Sequence, residues 1–162
     1  MNDSDESALI DPPSKLAAKV QKKAGKDLDD LLANADAEVA KLSSSYTEWV
    51  QEDLVNLANA LSQARADAPH RKNHLEELYT IAHDMKGQGG TFGYNLITSI
   101  GASLCRFVER LEDAGDRDLE IVSAHIEAMK VVIRQQVQGD GGDIGRKIVV
   151  GLERAVVAAQ KK

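Results

Sequence analysis

A chain of 162 residues suffices for one ordinary domain, and its 26 acidic and 20 basic side chains leave a formal net charge of −6. That balance argues against general affinity for nucleic acid or anionic lipid, both of which reward a basic surface. Hydrophobic residues at 43%, charged at 28%, aromatics at only 4% and three prolines suit an all-helical protein; the single cysteine, Cys105, excludes an intramolecular disulfide and makes a thiolate zinc cluster within the chain implausible. No apolar run approaches the roughly 18 to 20 residues that span a bilayer. The start, MNDSDESALIDPPSK, is acidic and lacks the basic-then-apolar pattern of a signal peptide. A soluble, cytoplasmic chain without membrane partners is the expectation.

The first 14 residues are polar and include Pro12-Pro13, which cannot lie inside a helix. Residues 15 to 26 add Lys15, Lys19, Lys22, Lys23 and Lys26 with no acid. Residues 1–26 read as a flexible, partly helical arm, with a docking stripe for an acidic partner as the alternative. From there to residue 162 a helical bundle domain is expected. Leu28, Leu32, Ala35, Val39, Leu42 and Tyr46 follow a 4-3-4-3-4 spacing, one apolar stripe of a helix. Ser43-Ser44-Ser45 reads as an interruption, with Ser45 and Glu48 as a capping box for a new start.

Val50, Leu54, Leu57, Leu61 and Ala64 form the next stripe, which ends at a turn before Pro69. Leu75, Leu78, Ala82 and Met85 make a third; Ile97, Ile100, Leu104, Phe107 and Leu111 a fourth. After the turn Ala114-Gly115-Asp116 comes a fifth: Leu119, Val122, Ile126, Met129 and Ile133. Gly139-Asp140-Gly141-Gly142 breaks the chain; with no strand before it and no Gly-Lys-Ser/Thr after it, it is a connector and not a phosphate loop. Ile144, Ile148, Leu152 and Val156 close a last helix over about 143–160. Four consecutive segments with short connections specify an antiparallel four-helix bundle, about residues 45–137, with additional helices at each end that pack on it or lengthen it.

One stretch is odd for a bundle helix: His83-Asp84-Met85-Lys86-Gly87-Gln88-Gly89-Gly90-Thr91-Phe92-Gly93. Each glycine inside a helix costs about 1 kcal/mol relative to alanine, so something must offset three of them in four residues. Either the helix ends here, with Gly93 as left-handed terminator, or bare backbone is wanted beside a side chain. At 100° per residue, His83 points about 130° away from the centre of the Leu75–Met85 stripe, onto an outer face shared with Glu76, Tyr79, Thr80, Lys86, Gly87 and Gly90. Gly87 at i+4 and Gly90 at i+7 leave the ring open to a large partner, and Lys86 at i+3 sets positive charge beside any anion attached to it. That is a phosphate-accepting arrangement.

These residues resemble the histidine-containing phosphotransfer (HPt) domains of two-component phosphorelays. The family motif reads His-x-x-Lys-Gly, then small residues and a glycine ten positions after the histidine; His83, Lys86, Gly87, Gly90 and Gly93 fit it. The resemblance covers roughly residues 45 to 137 and implies the same bundle. It makes His83 the phosphoryl acceptor, Lys86 the phosphate-stabilising cation, and Gly87 and Gly90 the space-makers. It further implies receiver domains of response regulators and a hybrid histidine kinase as partners. The Mg²⁺ then comes from the receiver's acidic pocket, and the chain has no intrinsic cofactor. An exposed imidazole keeps a substantial unprotonated fraction near neutral pH, so no dedicated base is needed. Where many members place Gln or Glu, 22 residues after the histidine, this chain has Cys105. The alternatives there are Arg106 serving the phosphoryl group, or water orienting the ring.

Other readings stand beside this one. A catalytic histidine kinase needs an ATP-binding α/β domain, for which the chain has neither length nor strand pattern, so a relay without kinase activity of its own is expected. A binding-only scaffold would keep the bundle and dock receivers or kinases without taking up phosphate. His70 and His74 have the i, i+4 spacing of two metal ligands but no evident third, and read as chance surface residues. His125 reads as packed or solvated, and Cys105 as a small core residue.

Overall fold

In the computed structural model the described residues are 14–161, with side chains from Lys23 onward. The expected arm therefore lies outside them over residues 1–13, while Ser14 already begins a helix. Five α-helices and one short 3-10 turn make up the described chain, with no strand among the described residues. They are α1 (Ser14–Ala66), α2 (Arg71–Gly89), α3 (Asn95–Glu109), α4 (Asp116–Arg134) and α5 (Gly142–Gln160), the turn Ala68–His70 lying between α1 and α2. The chain divides into two compact units, with the boundary between Lys41 and Leu42.

In the first unit, residues 23–41 are exposed throughout. The part of the apolar stripe that falls there is exposed: Leu28 is 56% and Val39 60% exposed. The break expected at Ser43-Ser44-Ser45 is also absent, and α1 runs unbroken for 53 residues. A mid-helix serine is only a few tenths of a kcal/mol worse than alanine, and no proline or glycine adds to the penalty there. Thr47 Oγ1 donates to the Ser43 carbonyl at 3.3 Å, which satisfies a hydroxyl inside the helix. Tyr46 and Val50, each 1% exposed, then hold this turn in the core.

The second unit is the bundle. Its core takes Val50, Leu54, Leu57 and Leu61 from α1, Leu75, Leu78, Ala82 and Met85 from α2, and Ile97, Ile100, Leu104 and Phe107 from α3. From α4 it takes Leu119, Val122, Ile126, Met129 and Ile133. The helices run antiparallel, as the cross-contacts require. Rising residues on α2 meet falling ones on α3 and the turn after it: Arg71 bonds the Ala114 carbonyl, Tyr79 bonds Glu109, and Lys86 meets Gly101 and Thr98. Arg71 also donates to the Ala64 carbonyl, while Tyr46 stacks on Phe92 at 4.5 Å, which sets α1 against α2 in the same sense. Arg65 pairs with Glu120 of α4.

The helix ends are local chemistry. Gly93 has φ +82°, the left-handed terminator that its position predicts. The turn after α2 is tied to the α4–α5 connector, since Gly139 donates to the Gly93 carbonyl and accepts from Leu96. At the start of α4 the Asp118 carboxylate accepts the Gly115 N–H at 2.9 Å. Helix α5 packs on α3 and α4 through Gly145, Leu152 and Ala159. Of the apolar residues that mark this helix, Leu152 is buried, while Ile144 in its first turn is 70% exposed.

Candidate functional site

Helix α2 carries its apolar residues inward and leaves His83 on the opposite side, with 54% of the side chain exposed. The ring lies 5.9 Å from that of Tyr79, one turn earlier, at an interplanar angle of 31°. Its Nδ1 is 3.8 Å from Asp84 Oδ1, within ion-pair reach but too long for a hydrogen bond. No described side chain hydrogen-bonds either ring nitrogen.

The glycines around it divide into two kinds. A Cβ at Gly89 would stand 2.8 Å from Thr98 Oγ1 and 2.9 Å from the Tyr94 carbonyl, so this glycine is needed for α2 to meet α3. A Cβ at Gly87 would meet nothing within 4 Å, and one at Gly90 only Thr98 Oγ1 at 3.7 Å. Packing within the chain therefore accounts for Gly89 but not for Gly87, whose mid-helix penalty of about 1 kcal/mol is left without an intramolecular reason. Gly87 keeps the surface one turn beyond His83 flat and open.

Lys86 is half-buried and leans towards α3. A Cβ on Gly101 would lie 3.1 Å from Lys86 Cβ and 3.3 Å from the Ala82 carbonyl, so the bare backbone of Gly101 lets the two helices close over the lysine stem. Thr98 Oγ1 donates to the Lys86 carbonyl at 2.9 Å and holds this turn of α2. Sequence reasoning missed both Gly101 and Thr98. The available signal was a glycine inside the apolar pattern of α3, which marks a close backbone approach.

Cys105, 22 residues after His83, is buried, and burial pushes its thiol pKa up. The positive charge of Lys86 is near enough to oppose that shift. Arg106 is exposed on α3; no hydrogen bond or ion pair among the described residues joins it to His83. Beside Tyr79 and Thr80 a groove of about 640 Å³ runs between α2 and the end of α3, floored by Leu75, Val108 and Leu111 and rimmed by Glu76 and Glu112.

The remaining histidines have structural partners. His70 Nδ1 lies 3.0 Å and His74 Nε2 3.3 Å from the Asp67 carboxylate, a cluster at the turn between α1 and α2 that holds the Asp67 pKa below its usual range. Among the described residues no group of three or more His, Cys, Asp or Glu side chains could hold a metal ion, and no helix is long and apolar enough to cross a membrane. His125 is fully buried on α4.

The described bundle thus leaves the His83 imidazole on its exposed face, with Lys86 three residues on and an unobstructed helix surface at Gly87. A family model for the Hpt domain matches residues 41–138, more than half of the chain, and the chain belongs to that family. Hpt domains have a phosphotransfer role in phosphorelays, where they interact with receiver domains and kinases. No curated protein and no solved structure matches the chain.

Proposed function

We propose that this chain is a cytoplasmic histidine phosphotransfer protein. It takes a phosphoryl group from a receiver-domain aspartate onto His83 and passes it to another receiver. The observation that carries this reading is the open surface at Gly87, one turn from an imidazole that no described side chain hydrogen-bonds. A receiver docks over that surface, and the groove beginning at Tyr79 and Thr80 extends the apolar ground available to it.

In the transfer, the neutral Nε2 lone pair attacks phosphorus in line with the departing oxygen. The N–P bond forms as the aspartyl O–P bond breaks, and the free carboxylate leaves with the bonding electrons. Nε2 is taken as the nucleophile by the family resemblance, with Asp84 Oδ1 3.8 Å from Nδ1 on the other side of the ring. Lys86 adds positive charge beside the transferred group, and its stem is kept in place by the close approach at Gly101. Phosphoryl transfer is largely positioning and charge neutralisation, so a rigid helix with one exposed ring supplies this chain's share. The receiver supplies the Mg²⁺, and Gly87 and Gly90 supply access. Arg106, exposed on α3, is the second cation for which a phosphate contact is proposed.

The test is incubation with a phosphorylated receiver. Acid-labile, alkali-stable label is expected on the wild-type chain and none on His83→Gln. Label retained by His83→Gln sinks the assignment. Receiver binding without label on the wild-type chain would leave a binding-only scaffold, and label from ATP alone would indicate kinase activity.

A further inference from the structure

We propose that Tyr79 is a positioning residue for His83: its ring, tethered to Glu109 of α3, is the shelf that sets the imidazole with Nε2 outward. This rests on His83 being the phosphoryl acceptor. The need for such a residue is visible at Cys105. Buried Cys105 stands where the family resemblance implies Gln or Glu, and no described side chain hydrogen-bonds either ring nitrogen of His83. An exposed imidazole on a bare helix samples several rotamers, and only those with Nε2 facing the partner are productive.

Tyr79 removes part of that freedom. It precedes His83 by four residues, so the two side chains share one helical face. Their rings lie 5.9 Å apart at 31°, a tilted aromatic contact. The shelf is itself held. Tyr79 Oη donates to Glu109 Oε1 at 2.9 Å across the α2–α3 interface, and the ring packs against the core. The Glu109 carboxylate raises the phenol pKa, so the group stays a donor at neutral pH. Asp84 Oδ1 lies 3.8 Å from Nδ1, so negative charge stands on the Nδ1 side of the ring. Residues on two helices thus orient a ring that has no hydrogen bond of its own.

The experiment removes the receiver, so that docking cannot enter. Phosphoramidate phosphorylates histidine directly: its P–N bond breaks, ammonia leaves, and a new N–P bond forms at the imidazole. Initial rates are compared for the wild-type chain, Tyr79→Ala, Tyr79→Phe and Glu109→Gln, with melting curves to confirm the fold. The His83 tautomer ratio is read from ¹⁵N-labelled imidazole resonances. Tyr79→Ala is expected to slow phosphorylation roughly 5- to 10-fold and to move the tautomer ratio towards that of free histidine. Tyr79→Phe keeps the ring and loses the tether, so it should recover most of the rate, with Glu109→Gln alongside it.

An unchanged tautomer ratio and an unchanged phosphoramidate rate in Tyr79→Ala overturn the proposal. So does a defect seen only as a raised KM for a phosphorylated receiver, because Tyr79 would then be a docking residue. If the wild-type chain takes no label at His83 from either donor, the acceptor reading fails by itself, while the tautomer ratio still reports whether Tyr79 orients the ring.

Discussion

His83 on α2 and His125 on α4 carry the same imidazole into opposite surroundings. His83 stands on the wet face with no described side chain bonded to its ring. His125 is fully buried and fully satisfied: Nδ1–H donates to the Ile121 carbonyl at 2.8 Å, Nε2 lies 3.0 Å from Ser103 Oγ, which donates to it, and the ring stacks on Phe107. What separates them is angle. His83 lies across the helix from Leu78, Ala82 and Met85, whereas His125 lies on the same side as Ile121, Val122 and Met129. A histidine free for chemistry is one whose nitrogens the fold has left alone, and a histidine that holds the core is one whose nitrogens it has used.

Exchanging the two roles by mutation is the sharpest way to break that comparison. His83→Gln is expected to abolish phosphorylation completely while moving stability by no more than about 0.5 kcal/mol, as read by label transfer and urea unfolding. His125→Ala should do the reverse. Loss of the ring opens a cavity and leaves Ser103 Oγ without its partner, for a destabilisation of roughly 2–4 kcal/mol with transfer per folded molecule preserved. Equal damage to activity from both substitutions would erase the distinction.

The glycines sharpen it further. Gly89→Ala forces a Cβ against Thr98 and the Tyr94 carbonyl and is expected to destabilise by about 1–3 kcal/mol. Gly87→Ala meets open space, so it should stabilise α2 by up to about 1 kcal/mol while slowing transfer from a receiver. Thermal unfolding and transfer kinetics on the same samples separate the two effects.

Acid is a gentler probe of the buried ring. Burial lowers the pKa of His125 in the folded state. Below about pH 6.5 the unfolded chain takes up a proton at this residue that the folded chain refuses, so stability falls as pH falls, by at most about 1.4 kcal/mol per pH unit. Above that pH both states are neutral there and the contribution is flat. Urea midpoints between pH 5 and 8 should show this slope in the wild-type chain and a shallower one in His125→Ala.

The smallest effect expected is at Tyr46. Its hydroxyl is buried without a hydrogen-bond partner among the described residues, and burial, with the charges of Tyr94 and Asp53, pushes its pKa up to about 12. Tyr46→Phe removes that unpaired group and should leave stability unchanged or raised by up to about 1 kcal/mol, measured by the same unfolding curves. A loss would mean that the hydroxyl has a partner after all.

Much of the bundle was legible because helical periodicity is local. The stripes Val50–Ala64, Leu75–Met85, Ile97–Leu111 and Leu119–Ile133 are buried, except that Leu111 lies past the end of α3 and is half-buried. The outward direction of His83 followed from the same 100° arithmetic. Four features were not legible. The serine triplet resembles a helix stop but is overridden by the packing of Tyr46 and Val50, which follow it directly and one turn later. Leu28, Leu32 and Val39 have a buried-looking spacing yet remain exposed. The tether from Tyr79 to Glu109 and the close approach at Gly101 join residues far apart in the chain.

From sequence alone came most of the helices, their inward faces, and the outward direction of His83, because each depends on spacing along a single helix. Tertiary structure alone decided which stripes found a partner surface, which glycines serve packing and which leave room for a visitor, and what surrounds each imidazole. Those depend on distances between helices, and no periodicity within one helix encodes them.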